Sequence, residues 1–118
     1  MKALIIDDDE AVGNLLTKLL SSYEIETVIS KNGCNGLEEF IRDDFDLIIL
    51  DSGLPDMTGE DVYKEVRKID DTIFIALSSG YPDFDELESD NEYNLILHKP
   101  YCFEQLRSII DIIKGALK

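Results

Sequence analysis

Residues 47–59 read Leu47-Ile48-Ile49-Leu50-Asp51-Ser52-Gly53-Leu54-Pro55-Asp56-Met57-Thr58-Gly59. Four consecutive aliphatic residues are of strand length, and a run without polar alternation suits a strand covered on both faces, the habit of parallel sheets. The run stops at a carboxylate, after which Ser, Gly, Pro and a second Gly supply turn chemistry. The stretch therefore predicts a buried strand that delivers Asp51 to one edge of a sheet.

Outward from this stretch, similar apolar runs stand at 3–6, 25–29, 73–77 and 95–97, making five in all. Between them the apolar residues recur with helical period: Val12, Leu15, Leu16, Leu19 and Leu20; Leu37, Phe40 and Ile41; Val62, Val66 and Ile69. Phe103, Leu106, Ile109, Ile110, Ile113 and Leu117 form the last and longest stripe. The fourth slot, residues 84–93, has Leu87 as its main apolar residue among acids, which predicts a short or frayed helix. Pro55, Pro82 and Pro100 fall between elements, and no repeat or low-complexity tract divides the chain.

Alternating strands and helices with short connections predict one α/β domain over 1–118, a doubly wound five-stranded parallel sheet of order 2-1-3-4-5. Ligands of such sheets bind beyond the carboxyl ends of the strands at the switch point, here between the first and third strands.

Lys and Arg total 11 against 26 Asp and Glu, a formal net charge of −15. That field repels nucleic-acid backbones and anionic membranes, so neither is expected as a direct partner. Between Ile69 and His98 every charged side chain is a carboxylate, an acidic surface that suits solubility or a basic partner. Cys34 and Cys102 form neither a disulfide framework nor a zinc motif, and there is no apolar run long enough for a signal sequence or a membrane span. A soluble, cytoplasmic protein is expected.

The residues that end the strands carry the chemistry. Asp7, Asp8, Asp9 and Glu10 follow the first run, Asp51 ends the third, Ser78 and Ser79 follow the fourth, and His98, Lys99 and Pro100 the fifth. An acidic run is commonly a loop or a helix cap. Carboxylates that converge at one edge repel one another, however, and a fold tolerates them chiefly where a hard divalent cation binds. Mg²⁺ suits one or two carboxylates that leave positions for water and phosphate oxygens. A lysine ammonium and a serine hydroxyl can hold phosphoryl oxygens, and an aspartate between them can act as nucleophile.

Four motifs stand in order: LIIDDDE at 4–10, LIILDSGLPDMTG at 47–59, IALSSG at 75–80 and HKPY at 98–101. Together they resemble the receiver domains of bacterial response regulators over essentially the whole chain. The resemblance implies a flavodoxin-like (βα)5 fold in which Asp51 accepts a phosphoryl group from the phosphohistidine of a histidine kinase or phosphotransfer protein. It implies Asp8 as the direct Mg²⁺ ligand, Asp7 acting through water, and the backbone carbonyl of Gly53 completing the protein ligands. Lys99 would grip the phosphoryl group, and a hydroxyl from Ser78 or Ser79 would contact it. The domain would assist its own phosphorylation and dephosphorylation without being an enzyme in its own right. A cis Lys99–Pro100 peptide is implied as well.

The sequence departs from the family at Ile96, where an aromatic switch residue is usual, and in a somewhat short segment before Lys99. With no output domain after the last helix, the signal is expected to pass by contact with an effector protein. Two other readings stay open. A haloacid-dehalogenase-type phosphatase would use Asp7 and Asp9, though Ala11 stands where its motif wants Thr or Val, and Asp51 would have no role. A pseudo-receiver would keep the fold as a docking module and never be phosphorylated.

Overall fold

The computed structural model describes residues 1–79, the strand at 95–98, and the positions Arg107, Ile110, Asp111 and Gly115 further on. Five strands, β1 (Lys2–Ile6), β2 (Glu26–Ser30), β3 (Leu47–Asp51), β4 (Phe74–Ser79) and β5 (Leu95–His98), form one sheet. Its order is β2-β1-β3-β4-β5 and every pairing is parallel, as the apolar runs predict. β4 extends past Leu77 because its ladder with β3 continues to the pair Asp51 and Ser78. Every residue of β3 is buried, which is why its sequence shows no alternation.

Three helices are described: α1 (Glu10–Ser22), α2 (Gly33–Arg42) and α3 (Gly59–Ile69). Each begins at a side-chain cap. Asp9 accepts the amides of Ala11 and Val12, Asn32 accepts that of Asn35, and Thr58 and Asp61 form a reciprocal capping box. α1 ends as Glu24 turns into the left-handed region at φ 62° and the Ile25 amide returns to the Leu20 carbonyl.

The pleat divides the core into two layers. Ala3, Ile5, Leu47 and Ile49 face one side, packed with Leu16 and Leu20 of α1 and with Ile110. Leu4, Ile6, Ile48 and Leu50 face the other, against Phe40 of α2 and Val62 and Val66 of α3. Each fully buried Leu or Ile contributes about 1.5–3 kcal/mol, so these layers hold the sheet as a rigid platform.

One apolar residue in each of the three stripes that form α1, α2 and α3 turns outward. Leu15 is off the line set by Leu16, Leu19 and Leu20, while Ile41 and Ile69 sit in the last turns of α2 and α3, at 69% and 56% exposure. Among the described residues no helix is long and apolar enough to cross a membrane. The expectations for residues 84–93, for the Lys99–Pro100 peptide, for Cys102 and for most of the final stripe lie outside the described residues.

Candidate functional site

Three successive aspartates leave β1, and each takes a different place. Asp7 continues the strand: its amide donates to the Ser30 carbonyl at 3.0 Å, and its Oδ1 accepts the Asp9 amide at 2.9 Å. Asp8 is exposed. Asp9 turns away, its Oδ1 accepting the amides of Ala11 at 3.0 Å and Val12 at 3.3 Å to cap α1. The helix cap thus takes one carboxylate and leaves Asp7 and Asp8 at the sheet edge.

Asp51 ends the neighbouring strand and is only 6% exposed, against 2% for Asp7. One carboxylate oxygen from each of Asp7, Asp8 and Asp51 lies within 4.8 Å of the other two. Two ionised carboxylates at such a distance repel by about 3 kcal/mol at an effective dielectric near 20. Solvent around exposed Asp8 screens part of this repulsion, and a cation held among the three carboxylates would offset the rest. Its donors are all hard oxygens, which fits a divalent ion of the Mg²⁺ or Ca²⁺ type.

Ser78 is fully buried and stands opposite Asp51 in the register of β3 and β4. Strand alternation sets Asp7, Asp51 and Ser78 in line with Ala3 and Ile5, with Leu47 and Ile49, and with Phe74 and Ala76, so all three lie at the carboxyl edge on the α1 face. The backbone ties the same strands together, since the Ser52 amide donates to the Ser78 carbonyl at 2.9 Å.

The turn after Asp51 is closed at its neck. The Gly59 amide donates to the Ser52 carbonyl at 3.0 Å, and Gly53 and Thr58 form an isolated antiparallel bridge. Gly59 is required there for close approach: a β-carbon would lie 2.6 Å from the Asp51 carbonyl oxygen. Gly53 is exposed on the loop, its amide 3.5 Å from Asp51 Oδ1.

Asp56 is a residue to which sequence reasoning gave no role. Its two carboxylate oxygens accept the amides of Gly33 at 2.8 Å and Cys34 at 2.9 Å, the first two residues of α2. Those amides hold its carboxyl well below the usual carboxylate range, at about 2. The nearby Asp56 carboxylate pushes the Cys34 thiol up, away from thiolate. A signal existed, for the first turn of α2 carries no acid of its own.

Of the residues expected at the site, Asp7, Asp8, Asp51 and Ser78 come together and Gly53 lies on the adjoining loop. Ser79 belongs to β4, but its side chain lies outside the described residues, as do Lys99 and the side chain of Ile96.

Sheet order and acidic edge together define a doubly wound α/β protein with a cluster of carboxylates at its switch point. The family model described as "Response regulator receiver domain" matches residues 3–111. The chain belongs to this family and is a receiver domain of the two-component response regulators.

It is similar to the sporulation initiation phosphotransferase F of Bacillus subtilis, at 26% identity over 92% of this chain and 90% of that protein. It is also similar to the transcriptional regulatory protein CusR of Escherichia coli, at 33% identity over 90% of this chain but 48% of that protein. The chain thus spans about half the length of that regulator. Among solved structures, the response regulator TrrA of Thermotoga maritima in complex with Mg²⁺–BeF has a TM-score of 0.85 at 26% identity, covering 95% of this chain and 97% of that one. A CheY-like receiver domain from Methanospirillum hungatei has a TM-score of 0.86 at 25% identity, covering 98% and 92%.

Proposed function

We propose that Asp51 accepts a phosphoryl group in a Mg²⁺-dependent reaction, and that this charge change is the signal the domain transmits. The observation that carries the reading is the meeting of Asp7, Asp8 and Asp51 at one carboxyl edge, with buried Ser78 opposite Asp51. It is further supported by the Mg²⁺–BeF complex of TrrA, because fluoroberyllate stands in for a tetrahedral phosphoryl group.

Asp8, Asp51 and the Gly53 carbonyl are the direct ligands in this proposal, with Asp7 acting through water. When bound, the cation neutralises the acidic cluster and the charge of the incoming phosphoryl group. An Asp51 carboxylate oxygen attacks phosphorus while the P–N bond of a donor phosphohistidine breaks. The electron pair of that bond stays on the imidazole nitrogen, and the product is an acyl phosphate. The Ser78 hydroxyl and the Lys99 ammonium hold phosphoryl oxygens as charge is shared in a loose transition state.

The donor is a histidine kinase or a phosphotransfer protein, and the recipient of the signal is an effector protein. At −15 formal charge this domain is a poor direct ligand for nucleic acid. The phosphatase reading is disfavoured by Asp9, whose carboxylate caps α1 where that reading needs it at the reacting phosphate. Incubation with acetyl phosphate, with and without Mg²⁺, tests the proposal by intact mass. One Mg²⁺-dependent phosphoryl group on the wild type and none on Asp51→Asn supports it, whereas no adduct under any condition favours a pseudo-receiver.

A further inference from the structure

We propose that Asp56 is a positioning residue: by accepting the first two amides of α2 it fixes the 53–57 loop, and through that loop the Gly53 carbonyl offered to the cation. The inference rests on the reading of Asp7, Asp8, Asp51 and Gly53 as the Mg²⁺ site.

Gly53 is not held by packing, since even an added β-carbon there would meet nothing within 4 Å. Its position is therefore set by how the chain is fastened on either side. The neck is fastened by the Ser52–Gly59 hydrogen bond and the Gly53–Thr58 bridge. Beyond the neck, the tip at 54–57 has Asp56 as its polar anchor, through two charge-assisted hydrogen bonds of 2.8 and 2.9 Å to α2.

Met57 completes the joint. Its side chain occupies the space over Gly33, where a β-carbon would lie 2.2 Å from Met57 Cγ. Glycine at 33 lets the loop and the helix start meet, while the helix's own cap, Asn32, serves the Asn35 amide and leaves those of Gly33 and Cys34 to Asp56. The first turn of α2, which belongs to the opposite layer of the core, thus fastens the loop from behind and touches no reacting atom. Groups that orient a metal ligand from behind are worth about 10–100-fold in metal affinity.

The test is Mg²⁺ titration of the full chain followed by amide NMR, at a temperature where circular dichroism shows each variant folded. Asp56→Ala should raise the Mg²⁺ Kd by about tenfold and abolish the Mg²⁺-dependent shifts of the Gly33 and Cys34 amides. Asn32→Ala is the control: it removes a cap at the same helix end without touching the loop, and it should leave the Kd unchanged. Wild-type affinity in Asp56→Ala, or equal weakening in both variants, would overturn the positioning role. A wild-type chain that shows no Mg²⁺ binding would instead remove the metal site itself, and this inference with it.

Discussion

Gly59 stands directly against the main chain of Asp51, with room for a hydrogen and none for a methyl group: a β-carbon would sit 2.6 Å from the Asp51 carbonyl oxygen and 2.9 Å from Ser52 Cα. The neighbours are backbone, so they cannot swing aside as a side chain would. Gly59→Ala should cost about 1–3 kcal/mol, the usual range for overpacking, and weaken Mg²⁺ binding by displacing Asp51. Gly53→Ala, where the added carbon meets nothing, should stay within about 0.5 kcal/mol of wild type. Thermal denaturation of the two variants checks the contrast.

Relief of the acidic cluster should be visible as stability. Asp51→Asn removes one of three carboxylates lying within 4.8 Å of one another, with almost no change of shape. Without metal it should gain about 1 kcal/mol, roughly 5 °C in Tm for a domain of this size. Added Mg²⁺ at 100 times its Kd should stabilise the wild type by about 2.7 kcal/mol and the variant far less. Calorimetry with Mg²⁺ and with chelator reads both effects, and a lower Tm for metal-free Asp51→Asn would speak against a repulsive cluster.

Asp56 ties the site to acid stability. Its carboxyl is depressed to about 2 in the fold by the Cys34 and Gly33 amides, whereas an unfolded chain has an aspartate pKa near 3.9. A depressed carboxyl stabilises the fold fully above the unfolded value and loses that contribution as pH falls through the folded one. The stability gap between wild type and Asp56→Asn should therefore be level from pH 7 to about 5 and close between about 4 and 2. Urea denaturation across this range checks it.

Ser78 is fully buried opposite Asp51, and the proposed reaction has its hydroxyl hold a phosphoryl oxygen there. Ser78→Ala should slow phosphoryl transfer by about 100-fold, the order seen when one donor to a developing negative charge is removed. Mg²⁺ affinity should hold, and Ser78→Thr, which keeps the hydroxyl, should recover most of the rate. Stopped-flow phosphorylation by acetyl phosphate measures the split.

The platform was legible because its physics is local. Runs such as 3–6 and 47–50 are apolar on both faces, and the acids that end them follow directly in the chain. Outward-facing Leu15, Ile41 and Ile69 were not legible, since a helical period does not say where the sheet beneath a helix ends. Residue type alone did not separate Asp8 from Asp9, because only geometry tells a helix cap from an open carboxylate; the family resemblance did, by implying Asp7 and Asp8 as the acid pair. Asp56 escaped for a different reason: its partners are 23 and 22 residues away in sequence, and nothing in a turn motif names the helix it will meet.

The central claim is that Asp51 becomes an acyl phosphate. Borohydride reduces an aspartyl phosphate to homoserine, so treatment after phosphorylation, followed by peptide sequencing, locates the group on the chain. Homoserine at position 51, formed only when Mg²⁺ and a phosphoryl donor are both present, is the predicted result. Homoserine at position 7 or 8 instead, or a phosphoryl group that survives the treatment, would contradict it.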